Sequence, residues 1–214
     1  MSTRYAEKLM RMVRFGDDLA GLATDPRIKV GCVVFPVDCS SVAGIGYNGA
    51  AAGLDHGSIN LAGPIGSGGS GAAHAEANAL IKAGRLTEPT ILYTSTAPCP
   101  YCAPLIVNAT QVVGVVYGST EKLDRSGVPI VQAAGIPMVP RSMLEVLSAL
   151  QWEVVDDIPR QSPMPSSGHS VDLLRAARVV SWWRSLRRCA PSWPASRTDR
   201  NAAMPRRSDR GNIQ

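Results

Sequence analysis

The chain has 214 residues, of which 45% are hydrophobic, with a net charge of +5 and a pI near 9.1. That length supports one domain with a sizeable core plus an appendage, and no apolar run is long enough to cross a bilayer, which excludes a helical membrane protein. The charge is divided: from Arg160 onward there are eleven arginines and three aspartates, a net of +8, so the preceding body carries 11 basic against 14 acidic residues.

The N-terminal "MSTRYAEKLMRMVRF" scatters charges through an amphipathic pattern and has no uninterrupted apolar segment of the signal-peptide kind, so the cytoplasm is the expected compartment. Tyr5, Leu9, Met12, Val13, Leu19 and Leu22 recur at mostly three-to-four spacing and predict a first helix over 3–22. "KVGCVVFP" (29–36) and "SVAGIGYN" (41–48) read as two strands of a hairpin turning at Asp38 to Ser40. A Gly-rich connection over 49–73 leads into a helix opening at His74, which Gly84 ends. Strand and helix then alternate: "TILYTST" (90–96), a helix from about Pro100 to Ala109, "VVGVVYG" (112–118), a helix around "VPIVQAAG", a short strand "IPMV" and a helix "RSMLEVLSAL". This alternation implies parallel pairing in a layered α/β domain, and the opening hairpin makes the sheet mixed.

The domain is expected to span 1–157. Residues 158–214 form a basic, Pro/Ser/Arg-rich extension, read as disordered or as a short helix with Trp182 and Trp183 on its apolar side. A basic tail of this kind can dock on the domain, touch a membrane surface or bind nucleic acid. Five cysteines, an odd count, argue against a disulfide framework.

Two segments carry chemistry. In "GAAHAEANALIK" (71–82), His74 and Glu76 are two apart, and in mid-helix such residues point away from each other. Both reach one site only if His74 sits at the helix entrance, where "GSGGSGAA" lets the backbone turn. One strand later, "TSTAPCPYCAPL" places Cys99 and Cys102 three apart at a helix start, where the helix N-terminus favours thiolates. Neighbouring helices of an α/β sheet bring their N-termini to one sheet edge. His74, Cys99 and Cys102 thereby supply three ligands of a catalytic Zn2+, one ion per chain, with the fourth position open to water and Glu76 within reach of that water as proton shuttle. Each feature alone has a bland reading: a C-x-x-C pair can be redox-active, a first-turn Glu can complement the helix dipole, and a histidine can be a satisfied core residue. The order H-A-E, then P-C-x-x-C, is the signature of zinc-dependent deaminases.

On "ATDPRIKVGCVV" (23–34), "GIGYNGAAAG" (44–53), and "HAEANAL" followed by "LYTSTAPCPYCAPLIVNA", the chain resembles the cytidine and deoxycytidylate deaminase superfamily, most nearly its deoxycytidylate (dCMP) branch, over roughly residues 5–140. The resemblance implies a three-layer α/β/α sandwich with a mixed five-stranded sheet and a hydrolase that releases ammonia from C4 of a cytosine ring. Zinc-activated water attacks C4 while Glu76 protonates N3 and then the leaving amine. It further implies Asn48 as a sugar-hydroxyl contact and the Ala75 backbone as a hold on the base. Arg27 and Lys29 offer cations for a 5′-phosphate, and Tyr47 stacks or packs. The expected partners are a small nucleotide substrate and further copies of the chain, often as a hexamer.

Three departures bear on substrate choice. Ala97 stands where deoxycytidylate enzymes usually have a large aromatic, the "YNG" loop continues as "AAAG", and "LDHGSINLAGPIGSGGSGAA" offers only Asp55 and His56 toward a second metal site. Ala97 and the Ala50–Ala52 run suggest tolerance of a C5 substituent, as in 5-methyl-dCMP. The competing readings are a deaminase of a free nucleoside or nucleobase, one acting on polynucleotide, and a non-catalytic deaminase fold that binds a ligand. The body has few of the aromatic and basic residues that a polynucleotide substrate needs at the pocket mouth.

Overall fold

The computed structural model describes residues 3–63, 65, 69–119 and 127–149; the proposed extension over 158–214 lies outside them. Helix α1 (Thr3–Leu19) runs into a short 3-10 turn at Ala20–Leu22, together matching the predicted first helix. Its buried residues Ala6, Leu9, Met10 and Val13 follow the helical repeat. The central sheet has the order β2 (Gly44–Tyr47), β1 (Gly31–Pro36), β5 (Thr90–Thr96), β6 (Val112–Ser119), β7 (Met138–Pro140). β1 and β2 form the predicted antiparallel hairpin, while β5, β6 and β7 pair in parallel. β1 is antiparallel to β5 as well, so it alone runs against the other four strands.

Helices cover both faces. On one, α1 and α5 (Arg141–Ala149) enclose a core that includes Leu9, Val13, Phe35, Ile91, Tyr93 and Leu144. On the other, α2 (Ala75–Ala83), α3 (Cys102–Asn108) and α4 (Gly127–Ala133) pack over Val34, Ala79, Leu92, Ile106, Val115 and Val131. Ile91 and Tyr93 against Leu92 show how the two-residue repeat of β5 feeds both layers. The predicted α/β/α sandwich with a mixed five-stranded sheet is therefore the fold.

The 49–73 connection holds a feature its composition does not announce. β3 (Gly49–Ala50) pairs antiparallel with β4 (Ala72–Ala73), a two-rung ladder built without any β-branched residue. It delivers the chain to His74 in extended conformation. Helix α2 ends where expected: Gly84 takes φ 63°, and its N–H returns to the carbonyls of Leu80 and Ile81. Among the described residues no helix is long and apolar enough to cross a membrane.

Candidate active site

His74 is the N-cap of α2 and keeps extended backbone angles (φ −82°, ψ 151°), whereas Glu76 lies in the first helical turn. That difference lets residues two apart face one place. Cys99 follows the C-terminal end of β5, and Cys102 is the first residue of α3. The packing of α2 beside α3 brings the segments together: His74 Nδ1 lies 3.3 Å from Cys99 Sγ and 3.4 Å from Cys102 Sγ. The three donor atoms lie within 4.8 Å of one another. Glu76 is buried, and its Oε2 accepts from Cys102 Sγ at 3.3 Å.

Protonation within the cluster is uneven. Hydrogen bonds from the Cys102 side chain and backbone, with help from His74, hold the Cys99 sulfur down at about 4, so it is a thiolate at neutral pH. Cys102 is raised by its hydrogen bond to Cys99 and by burial, and keeps its proton. The Cys99 thiolate raises His74, and burial raises Glu76. One imidazole nitrogen and two sulfurs, one already ionised, make a zinc-type donor set. Zn–N and Zn–S bonds of ordinary length place N and S roughly 3.5 Å apart across a tetrahedral angle. The observed 3.3 and 3.4 Å fit a shared ion.

Beside the cluster, a cavity is walled by Glu76 and Ala75 from α2, by Thr96 at the end of β5 and Ala97 and Cys99 after it, and by Asn48 and the 25–30 segment. Asn48 is buried and lines it while bracing that segment: its Oδ1 accepts from Val30 N at 2.7 Å, and its Nδ2 donates to Ile28 O at 2.9 Å. Each end of the amide keeps one further hydrogen-bonding position. Ala75 is in the first turn of α2, where N–H groups have no intrahelical acceptor.

The two cations are engaged with protein oxygens. Lys29 Nζ donates to Ala23 O at 2.7 Å and is not part of the cavity wall. Arg27 lines the wall but forks onto Asp25 (Nε–Oδ1 3.1 Å, Nη2–Oδ2 2.9 Å), and its Nη1 donates to the carbonyls of Asn60 and Gly63. The Tyr47 ring packs against Lys82, whose Nζ lies 5.2 Å from its centroid, and stays out of the wall.

Asp25, which the sequence reading passed over, is a buried carboxylate with a structural task. Its signal was available in the spacing D-P-R, which permits a local fork. Arg27 holds its pKa below the ordinary carboxylate value. The pair therefore stabilises the fold fully above the unfolded-state pKa near 4, and this contribution is lost as pH falls through the lowered folded value. Asp25→Asn is expected to cost about 1–2 kcal/mol at pH 7. In urea titrations the gap between wild type and variant should close below about pH 4; a gap independent of pH would show that the charge of Asp25 contributes nothing.

The family model for the cytidine and deoxycytidylate deaminase zinc-binding region matches residues 3–119. The chain belongs to that family. The matched span takes in His74, Glu76, Cys99 and Cys102, and ends with β6. No curated protein matches the sequence of this deaminase-family chain. Among solved structures, the dCMP deaminase of the cyanophage S-TIM5 in apo form superposes with a TM-score of 0.50 at 24% identity, over 65% of this chain and 99% of that one. Its complex with dCMP and dUMP gives 0.51 and 24%, over 63% and 96%. Acinetobacter baumannii RibD, form 2, gives 0.47 and 23%, over 69% and 39%. The two S-TIM5 likenesses support the deaminase fold.

Proposed function

We propose that this chain catalyses the hydrolytic deamination of a cytosine deoxynucleotide, dCMP to dUMP and ammonia, with zinc held by His74, Cys99 and Cys102. The observation that carries this reading is the convergence of those three donors beside a buried Glu76 that touches one of them. Zinc, when bound, supplies the Lewis acidity that makes a nucleophile of water at neutral pH. The chain's own contribution is proton handling. Glu76 takes a proton as water adds to C4 and delivers it to N3. It then moves the second proton, from the C4 hydroxyl, to the amine. One water is consumed, ammonia leaves and Glu76 returns to its starting state.

Asn48 and Ala75, both in the cavity wall, are the substrate contacts of this reading. For Arg27 and Lys29 to hold a 5′-phosphate, each would exchange the oxygens it now donates to. The substrate and product are taken from the S-TIM5 complex, which contains dCMP and dUMP. A cytoplasmic setting is supported by four free cysteines among the described residues. A homo-oligomer is supported by the exposed apolar side chains of Ile81 on α2 and of Tyr101 and Leu105 at α3.

The test is ammonia release from dCMP, deoxycytidine, dCTP and 5-methyl-dCMP, with bound zinc quantified. We expect turnover of dCMP in preference to deoxycytidine and dCTP, loss of turnover on chelation, recovery with zinc, and less than a hundredfold preference for dCMP over its 5-methyl form. No turnover of any of the four by chain carrying one zinc would overturn the substrate assignment.

A further inference from the structure

β5 turns Thr90, Leu92, Thr94 and Thr96 toward α2 and α3, by the two-residue repeat of a strand. Thr90 is accounted for, since its hydroxyl donates to Gln111 O at 3.0 Å. The hydroxyls of Thr94 and Thr96 are buried and have no hydrogen-bond partner among the described residues. A hydroxyl withdrawn from water with nothing in exchange destabilises the fold, and each such group calls for an explanation. The two differ in one respect: Thr96 forms part of the cavity wall with His74, Glu76, Ala97 and Cys99, and Thr94 does not.

The geometry points to Thr96 as a substrate contact, its hydroxyl hydrogen-bonding the ring edge that undergoes deamination. This rests on the deaminase reading above and adds to it the group that reads the base. Chemistry favours a hydroxyl there. Deamination inverts the edge under attack: an exocyclic amino donor becomes an oxo acceptor, and the adjacent ring nitrogen changes from acceptor to donor. A group that only donates or only accepts opposes one of the two states, whereas a threonine hydroxyl rotates to serve both. The wall residues grouped with it above do not supply this. Ala97 has only a methyl group, His74 and Cys99 are occupied with the metal donor set, and Glu76 moves the protons. Asn48 and Ser70 also line the cavity, and their side chains already bond to the backbone at Val30, Ile28 and Ala72.

The test uses the full zinc-loaded chain with Thr96→Val, Thr96→Ser and Thr94→Val. Ammonia release from dCMP, deoxycytidine and 5-methyl-dCMP is measured together with bound zinc and melting temperature. Thr96→Val should lower kcat/KM on the best of these substrates by about tenfold or more, with zinc content unchanged and melting temperature equal or higher, because no protein partner is lost. Thr96→Ser should restore most of the activity. Thr94→Val should leave kcat/KM at the wild-type value. Should valine at 96 prevent folding, Thr96→Ala makes the same comparison.

Wild-type kcat/KM in Thr96→Val would overturn the assignment. So would a lowered melting temperature in both valine variants with activity intact, which would show two hydroxyls sharing a buried water, or a loss of zinc in parallel with activity. No turnover by the wild type on any of the three would instead overturn the substrate assignment made above and take the assignment of Thr96 with it.

Discussion

Glu76→Gln is expected to lower kcat on the preferred pyrimidine by about a thousandfold, within the range that a positioned general acid–base supplies, while zinc stays bound at one ion per chain. Glutamine keeps the size and one carbonyl-type oxygen of glutamate, so the contact with Cys102 Sγ at 3.3 Å can persist. What it loses is the capacity to accept a proton and return it. His74, Cys99 and Cys102 supply the donor set without Glu76, so metal content separates this from a collapse of the site. Stability should not fall, because burial disfavours the charged carboxylate and glutamine removes that charge. Glu76→Gln retaining a tenth of wild-type turnover would remove Glu76 from the mechanism. Loss of zinc in this variant would make Glu76 a metal-site residue.

The site was legible where the chemistry is written in local spacing. His74 and Glu76 sit at a helix entrance that a Gly-rich run and a helical repeat announce, and Cys99 and Cys102 share the next such entrance. The hairpin, β5 over Thr90–Thr96 and the stop at Gly84 were legible for the same reason. What stayed hidden depends on partners far along the chain. The acceptors of Arg27, Asn60 O and Gly63 O, lie 33 and 36 residues away, in a stretch whose composition says only loop. The direction of β1 against β5 is set by the route through 49–73, and no local periodicity encodes it. Thr96 is invisible for another reason: a threonine in a strand is ordinary, and only the lack of a partner for its hydroxyl makes it informative.

Gly46→Ala is expected to destabilise the domain by about 3 kcal/mol and to weaken catalysis with it. Helix α2 lies directly on the backbone of β2. A methyl group at Gly46 would overlap the carbonyl oxygen of Ala75 and the backbone nitrogen of Ala79, and one at Gly44 would overlap the carbonyl oxygen of Ala79. These are backbone atoms of a helix and cannot swing aside as a side-chain end would, so α2 must lift from the sheet. Its first turn carries Ala75 and Glu76, and His74 is its N-cap. Cys99 and Cys102 are carried by β5 and α3, so lifting α2 opens the distances from His74 Nδ1 to both sulfurs, 3.3 and 3.4 Å in the native fold. Displacement of a reacting group by about 1 Å can cost on the order of a hundredfold in rate. Melting temperature, zinc affinity and kcat/KM should therefore fall together in Gly46→Ala. Gly21→Ala provides the control, since a methyl there meets nothing within 4 Å and should change stability by no more than about 0.5 kcal/mol. A Gly46→Ala protein with wild-type melting and zinc affinity would mean that α2 is not seated on β2 by these glycines, and the placement of His74 opposite the two cysteines would need another cause.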